Sequence, residues 1–154
     1  MAKYVATALP SFFKELIYLN RLTSLSGCAI DSKSVVDGAI EVVNDMMAGD
    51  EIAAFESALK VAHEMADTIK TCKGVPEDVS ALERWFATKF SSKQALVDAA
   101  SANAHAHSQE IEQQVQGVWD SGFPYTFEKP HEFGKAVAQV SFWALGPVDS
   151  SIEV

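Results

Sequence analysis

Apolar residues recur at spacings of three and four along nearly the whole chain, and nowhere do they alternate with polar residues over the length of a strand. The clearest case is Val35, Val36, Ala39, Ile40, Val43, Met46 and Met47, which sweep one side of a helix. A pattern with the helical period does not settle as a strand. The sequence therefore predicts an all-α fold of antiparallel helices, with residues 1–154 forming one domain.

Gly, Pro and Asp/Ser clusters divide this pattern into six helical segments. The first is expected from about Leu9 to Leu25, with Pro10 in its opening turn. The second runs from about Ser32 to Ala48 and the third from about Asp50 to Cys72, ending where Gly74 can cap and Pro76 cannot continue. A fourth begins near Asp78 or Ser80 and presents Leu82, Trp85, Phe86 and Phe90; it yields near "FSSKQ" to a fifth through "ALVDAASANAHAHSQEIEQQVQGVW". The stretch "DSGFPYTFEKP" reads as a loop, and a last helix covers about His131 to Leu145.

Hydrophobic residues make up 48% of the chain and charged ones 21%, the balance of a globular domain with a real core. Twelve basic against 21 acidic side chains leave a net charge of −9. Such a surface repels phosphate backbones and anionic membranes, so neither nucleic acid nor a membrane surface is an expected partner. No apolar run reaches the roughly 18 residues of a membrane span. The opening "MAKYVATALPSFF" is too short, and too soon followed by Lys14, for a signal peptide; a chain working inside an organelle would have shed its targeting segment. Cys28 and Cys72 lie far apart without a C-x-x-C pair, which points to no zinc site. Two small buried thiols are the expectation, and one bridge between them is the alternative.

The residue that most invites a chemical reading is His63, in "SALKVAHEMADTIK". At about 100° per residue, Ile52, Phe55, Leu59, Ala62, Ala66 and Ile69 share one arc, and His63 falls at its edge. The small residues Ala58, Ala62 and Ala66 leave room beside it. Two readings stand: a boundary histidine whose ring Asp67 holds from one turn later, or an axial ligand at the mouth of an apolar cavity. In the second, Asp67 would fix the tautomer. His105 and His107 sit two apart, do not face the same way on a helix, and are expected to face solvent. No Ser-His-Asp set, phosphate loop or H-E-x-x-H sequence is present, so nothing indicates an enzyme. The aromatic residues, spread over every segment but the second, can fill a core or wall a cavity for a large apolar ligand.

Taken in order, "PSFFKEL", "SVVDGAIEVVNDMMAGDE", "SALKVAHEMADTI" and "KGVPEDVSALERWFATKF" resemble one repeat of the peridinin–chlorophyll a proteins of dinoflagellates. Met47 stands sixteen residues before His63, as in that family's Met-to-His spacing, and "GVPEDVSAL" sits at its Gly-Val-Thr turn. The family's doubled His is here His63 followed by Glu64. The likeness covers about residues 8–143 and is clearest from Pro10 to about Phe90.

The resemblance implies one half of a boat-like helical shell around peridinin and chlorophyll a, with His63 holding the chlorophyll magnesium through a water. The implied function is light harvesting: a carotenoid passes excitation to chlorophyll and onward to a photosystem, in a chloroplast, within the thylakoid lumen. The alternative is a pigment-poor structural or docking subunit of a photosystem complex with the same fold. A single repeat further implies a homodimer, or attachment to photosystem or antenna subunits.

Overall fold

The computed structural model describes residues 1–28, 32–123 and 126–148, and among them every regular element is helical. The helices are α1 (Ala2–Leu19), α2 (Lys33–Met47), α3 (Glu51–Ile69), α4 (Pro76–Lys89), α5 (Lys93–Asp120) and α6 (Pro130–Leu145), with a short 3-10 turn over Thr23–Leu25. Among the described residues no helix is long and apolar enough to cross a membrane.

Helix starts follow local chemistry. Asp50 precedes α3 and its Oδ1 accepts from Ala53 N at 3.0 Å; Ser92 precedes α5 and its Oγ accepts from Ala95 N at 3.1 Å. Each side chain satisfies a backbone donor that the first turn leaves without an intrahelical partner. Prolines open α4 and α6, where a missing N–H costs nothing. This places the start of α4 at Pro76, ahead of the expected Asp78 or Ser80.

The largest departure from expectation is α1, which begins two turns early and carries Pro10 in its interior. A proline inside a helix costs roughly 3 kcal/mol. Tyr4, Val5 and Ala8 nevertheless continue the buried stripe of Phe13, Leu16 and Ile17 across it. Burying one Val-sized side chain contributes about 1.5–3 kcal/mol, so Tyr4 and Val5 together outweigh the proline.

Helix α6 packs along both α1 and α5, while α2 pairs with α3 and α3 with α4, so the last helix closes the chain against the first. The main core gathers Leu16, Leu25, Val35, Ile69, Leu82 and Phe86, all at most 2% exposed. A smaller cluster holds Tyr4, Val5, Ala8, Val43 and Phe123. Behind α6 the chain is pinned twice: Trp85 Nε1 donates to the Gly146 carbonyl at 3.0 Å, and Val148 N donates to Asn20 Oδ1 at 2.7 Å.

Cys28 and Cys72 form a disulfide with their Cα atoms 5.3 Å apart, an ordinary separation for such a bridge. This overturns the expectation of two free thiols; sequence separation alone could not show that the turn after α1 and the end of α3 meet. Two further contacts mark the same corner. Ser24 Oγ donates to Asp78 Oδ2 at 2.5 Å, and a Cβ on Gly74 would lie 3.0 Å from the Ser24 carbonyl oxygen.

Candidate ligand-binding site

Between the two core clusters lies a partly open cavity of about 390 Å³ to which all six helices contribute. Tyr4, Val5, Ala8, Leu9 and Phe12 face it from α1; Ala39, Val42, Val43 and Met46 from α2; Ala58, Val61, Ala62 and Met65 from α3. Phe86, Phe90, Val118, Phe123, Phe133, Gly134, Val137 and Ser141 complete the wall. Small residues make the room: where Ala39, Ala58 and Ala62 stand, leucines would fill the space. The volume falls in the lower part of the roughly 300–1,000 Å³ range of small-molecule pockets.

Among the described residues, only Tyr4 and Ser141 bring polar side chains to this wall. Tyr4 is 5% exposed, and its Oη is buried with no hydrogen-bond partner among the described residues. Burial pushes its phenol up to about 12, so the group stays protonated and can only donate or accept as a neutral hydroxyl. The ring is held edge-on by Phe127 at 5.0 Å and flanked by Phe133 and Phe123 at centroid distances of 5.8 and 6.3 Å. The other buried side-chain polar atom without a partner among the described residues, Glu64 Oε2, lies next to Gly38, and Glu64 is not part of the cavity wall.

His63 is exposed and does not line the cavity. The buried stripe of α3 runs through Ala54, Val61, Ala62, Met65, Ala66 and Ile69, rotated away from the arc expected from the sequence; Ile52, placed in that arc, is 70% exposed. At about 100° per residue, His63 stands roughly 135° from the centre of the real stripe. The predicted room beside Ala58 and Ala62 exists, but it opens on the other side of the helix from the histidine. Asp67 is 81% exposed and pairs with Lys70 at 3.6 Å, and no hydrogen bond joins it to His63. The residues therefore do not fit a chlorophyll held by His63 inside this cavity.

His105 is exposed as expected, whereas His107 is half-buried with its ring 5.0 Å from that of Trp143. It sits where α5 leaves helical geometry, at φ −126° and ψ 27°. Among the described residues, no three or more His, Cys, Asp or Glu side chains cluster to hold a metal ion.

Sequence reasoning did not find the pairing of Ser11 Oγ with His131 Nδ1 at 2.6 Å, made across 120 residues. It sits in a groove with Pro10, Lys14, Glu15, Tyr18 and Lys135, where the Glu15 carboxylate accepts from Gln139 at 3.1 Å. Ser11 also reaches the Thr7 carbonyl of its own helix at 3.2 Å. With no carboxylate on His131 among the described residues, the pair ties α6 to α1 and lacks the third member of a nucleophile–base–orienter set.

Comparison with protein-family models, with curated proteins and with solved structures finds no match.

Proposed function

We propose that this protein binds a lipophilic small molecule in the cavity between its helices and shields it from water without transforming it. The observation that carries this is the wall itself: nearly all apolar, and kept open by alanines at positions where a packed core would hold larger side chains. Interiors normally pack to crystal-like density, so a space of this size calls for an occupant. Apolar cavities stay dry and take up apolar molecules.

Light harvesting is the narrower form of this reading and comes from the family resemblance. Its carotenoid suits the cavity better than its chlorophyll does. A polyene is slender and apolar, and one end of it can enter such a space; a macrocycle with a long tail exceeds a cavity in the lower part of the usual range. A disulfide fits an oxidising compartment, which accords with a lumenal setting. One observation favours the docking-subunit reading: α5 buries none of its residues fully and leaves Val97, Val115 and Trp119 exposed, a face that a second copy or another subunit would cover.

Titration with an uncharged fluorescent apolar probe, phenylnaphthylamine, tests the general reading. Uptake at one site per chain is expected, and Ala62→Phe, which fills the cavity from α3, should weaken it by about tenfold, equivalent to about 1.4 kcal/mol. Uptake that ignores Ala62→Phe would place the probe elsewhere and sink the proposal.

His63→Leu separates the two forms. Probe uptake should change by less than about twofold, because the ring is outside the wall. Protein purified from its native source gives the second half of the test. Carotenoid absorption that excites chlorophyll emission, lost in His63→Leu, would establish the antenna form with its chlorophyll on the outer face of α3. A colourless native protein would select the docking subunit.

A further inference from the structure

The geometry points to a cavity that selects neutral apolar molecules carrying one hydrogen-bond acceptor, a ketone, aldehyde, ester or ether oxygen, which Tyr4 Oη holds. This inference rests on the reading of the cavity as a lipophile site and names what that site prefers.

Buried hydroxyls are almost always paired, because the water they give up must be replaced. Tyr4 Oη is buried and has no partner among the described residues, and Tyr4 belongs to the cavity wall. The three surrounding phenyl rings of Phe123, Phe127 and Phe133 hold its ring among them, so the hydroxyl does not swing out to solvent. The oxygen is fully covered by its neighbours, so a ligand's acceptor atom satisfies it by displacing one of the rings around it, and a hydrocarbon leaves it bare.

The sign of the preference follows from charge. Burial keeps the phenol protonated to about pH 12, so it offers a proton and not an anionic oxygen. Among the described residues no lysine, arginine or histidine lines the wall, so a carboxylate would enter without a counter-charge, which is costly in an apolar space. A fatty acid is thereby disfavoured against its ester or a ketone of the same size. Ser141, the other polar side chain of the wall, is half-buried and adds no charge.

A matched pair of ligands tests this: methyl naphthyl ketone and ethylnaphthalene, which differ by one carbonyl, each displacing phenylnaphthylamine from the wild-type protein and from Tyr4→Phe. The variant keeps the ring and its aromatic contacts and removes only the hydroxyl. The ketone is expected to bind roughly fivefold to tenfold more weakly to Tyr4→Phe, while the hydrocarbon binds as well or better. The hydrocarbon result also certifies that the variant is folded with its cavity intact. If both ligands weaken alike, or neither changes, the role of Tyr4 is overturned while the lipophile site stands. If no probe enters the wild-type protein at all, the lipophile reading falls and this inference falls with it.

Discussion

Exchanging Cys28 and Cys72 together for serine is expected to lower the unfolding free energy by about 4 kcal/mol, from the loop-closure entropy of a bridge of this span. The two cysteines are 44 residues apart, and the bridge closes a loop containing the whole of α2 and α3. Without it the unfolded chain gains freedom that the folded chain cannot match. The corner itself would persist, because Leu25 and Ile69 beside it are fully buried and Ser24 still reaches Asp78. Urea titration of the wild-type protein, of the double serine variant and of the wild-type protein under reductant measures this. The two perturbed states should agree. A loss below about 1 kcal/mol would mean that the unfolded chain is already constrained without the bridge.

Gly134→Val should cost roughly 3 kcal/mol, the upper end of ordinary overpacking. A Cβ at this position would run into the carbonyl oxygen of Ala8 and lie 3.0 Å from the backbone nitrogen of Phe12. These are backbone atoms of α1, which cannot turn aside as a side chain can, so α1 and α6 would have to separate. That separation would also reshape the cavity, to which both Ala8 and Gly134 belong. Gly117→Ala in α5 is the control, since its Cβ would meet Ala136 Cβ at an ordinary 3.5 Å. There the gain in helix propensity, up to about 1 kcal/mol, should appear as a stabilisation. Thermal and urea unfolding of the two variants should move in opposite directions; a neutral Gly134→Val would show that the helices are not held in this contact.

Both effects depend on contacts that a linear reading does not reach, and α3 shows why. Its limits were legible: the expected span of about Asp50 to Cys72 brackets Glu51–Ile69, with Gly74 and Pro76 marking the end. Its rotation was not. Ile52, Leu59 and His63 form as plausible an inner edge as Val61 and Met65 do, because periodicity defines a stripe only up to the choice of which large residues anchor it. Alanine is neutral in that choice and occurs on both sides. Packing decided it: Val61 lies against Gly38 of α2, and Ala58, Ala62 and Met65 face the cavity. His63 was carried outward as a result, and with it the site that the family resemblance implies.

The sequence by itself determined that the chain is helical, where most of its helices break and that its charge is strongly acidic. These follow from local period, from Gly and Pro backbone restrictions and from capping, none of which needs a distant partner. Tertiary structure alone decided that α1 continues through Pro10, that Cys28 meets Cys72, that Ser11 meets His131 and that the alanines of three helices border one cavity. Each of these joins residues whose proximity exists only after the helices pack, and the free energy that fixes them is the burial of Tyr4, Val5, Leu25 and Ile69 rather than any preference of the segments themselves.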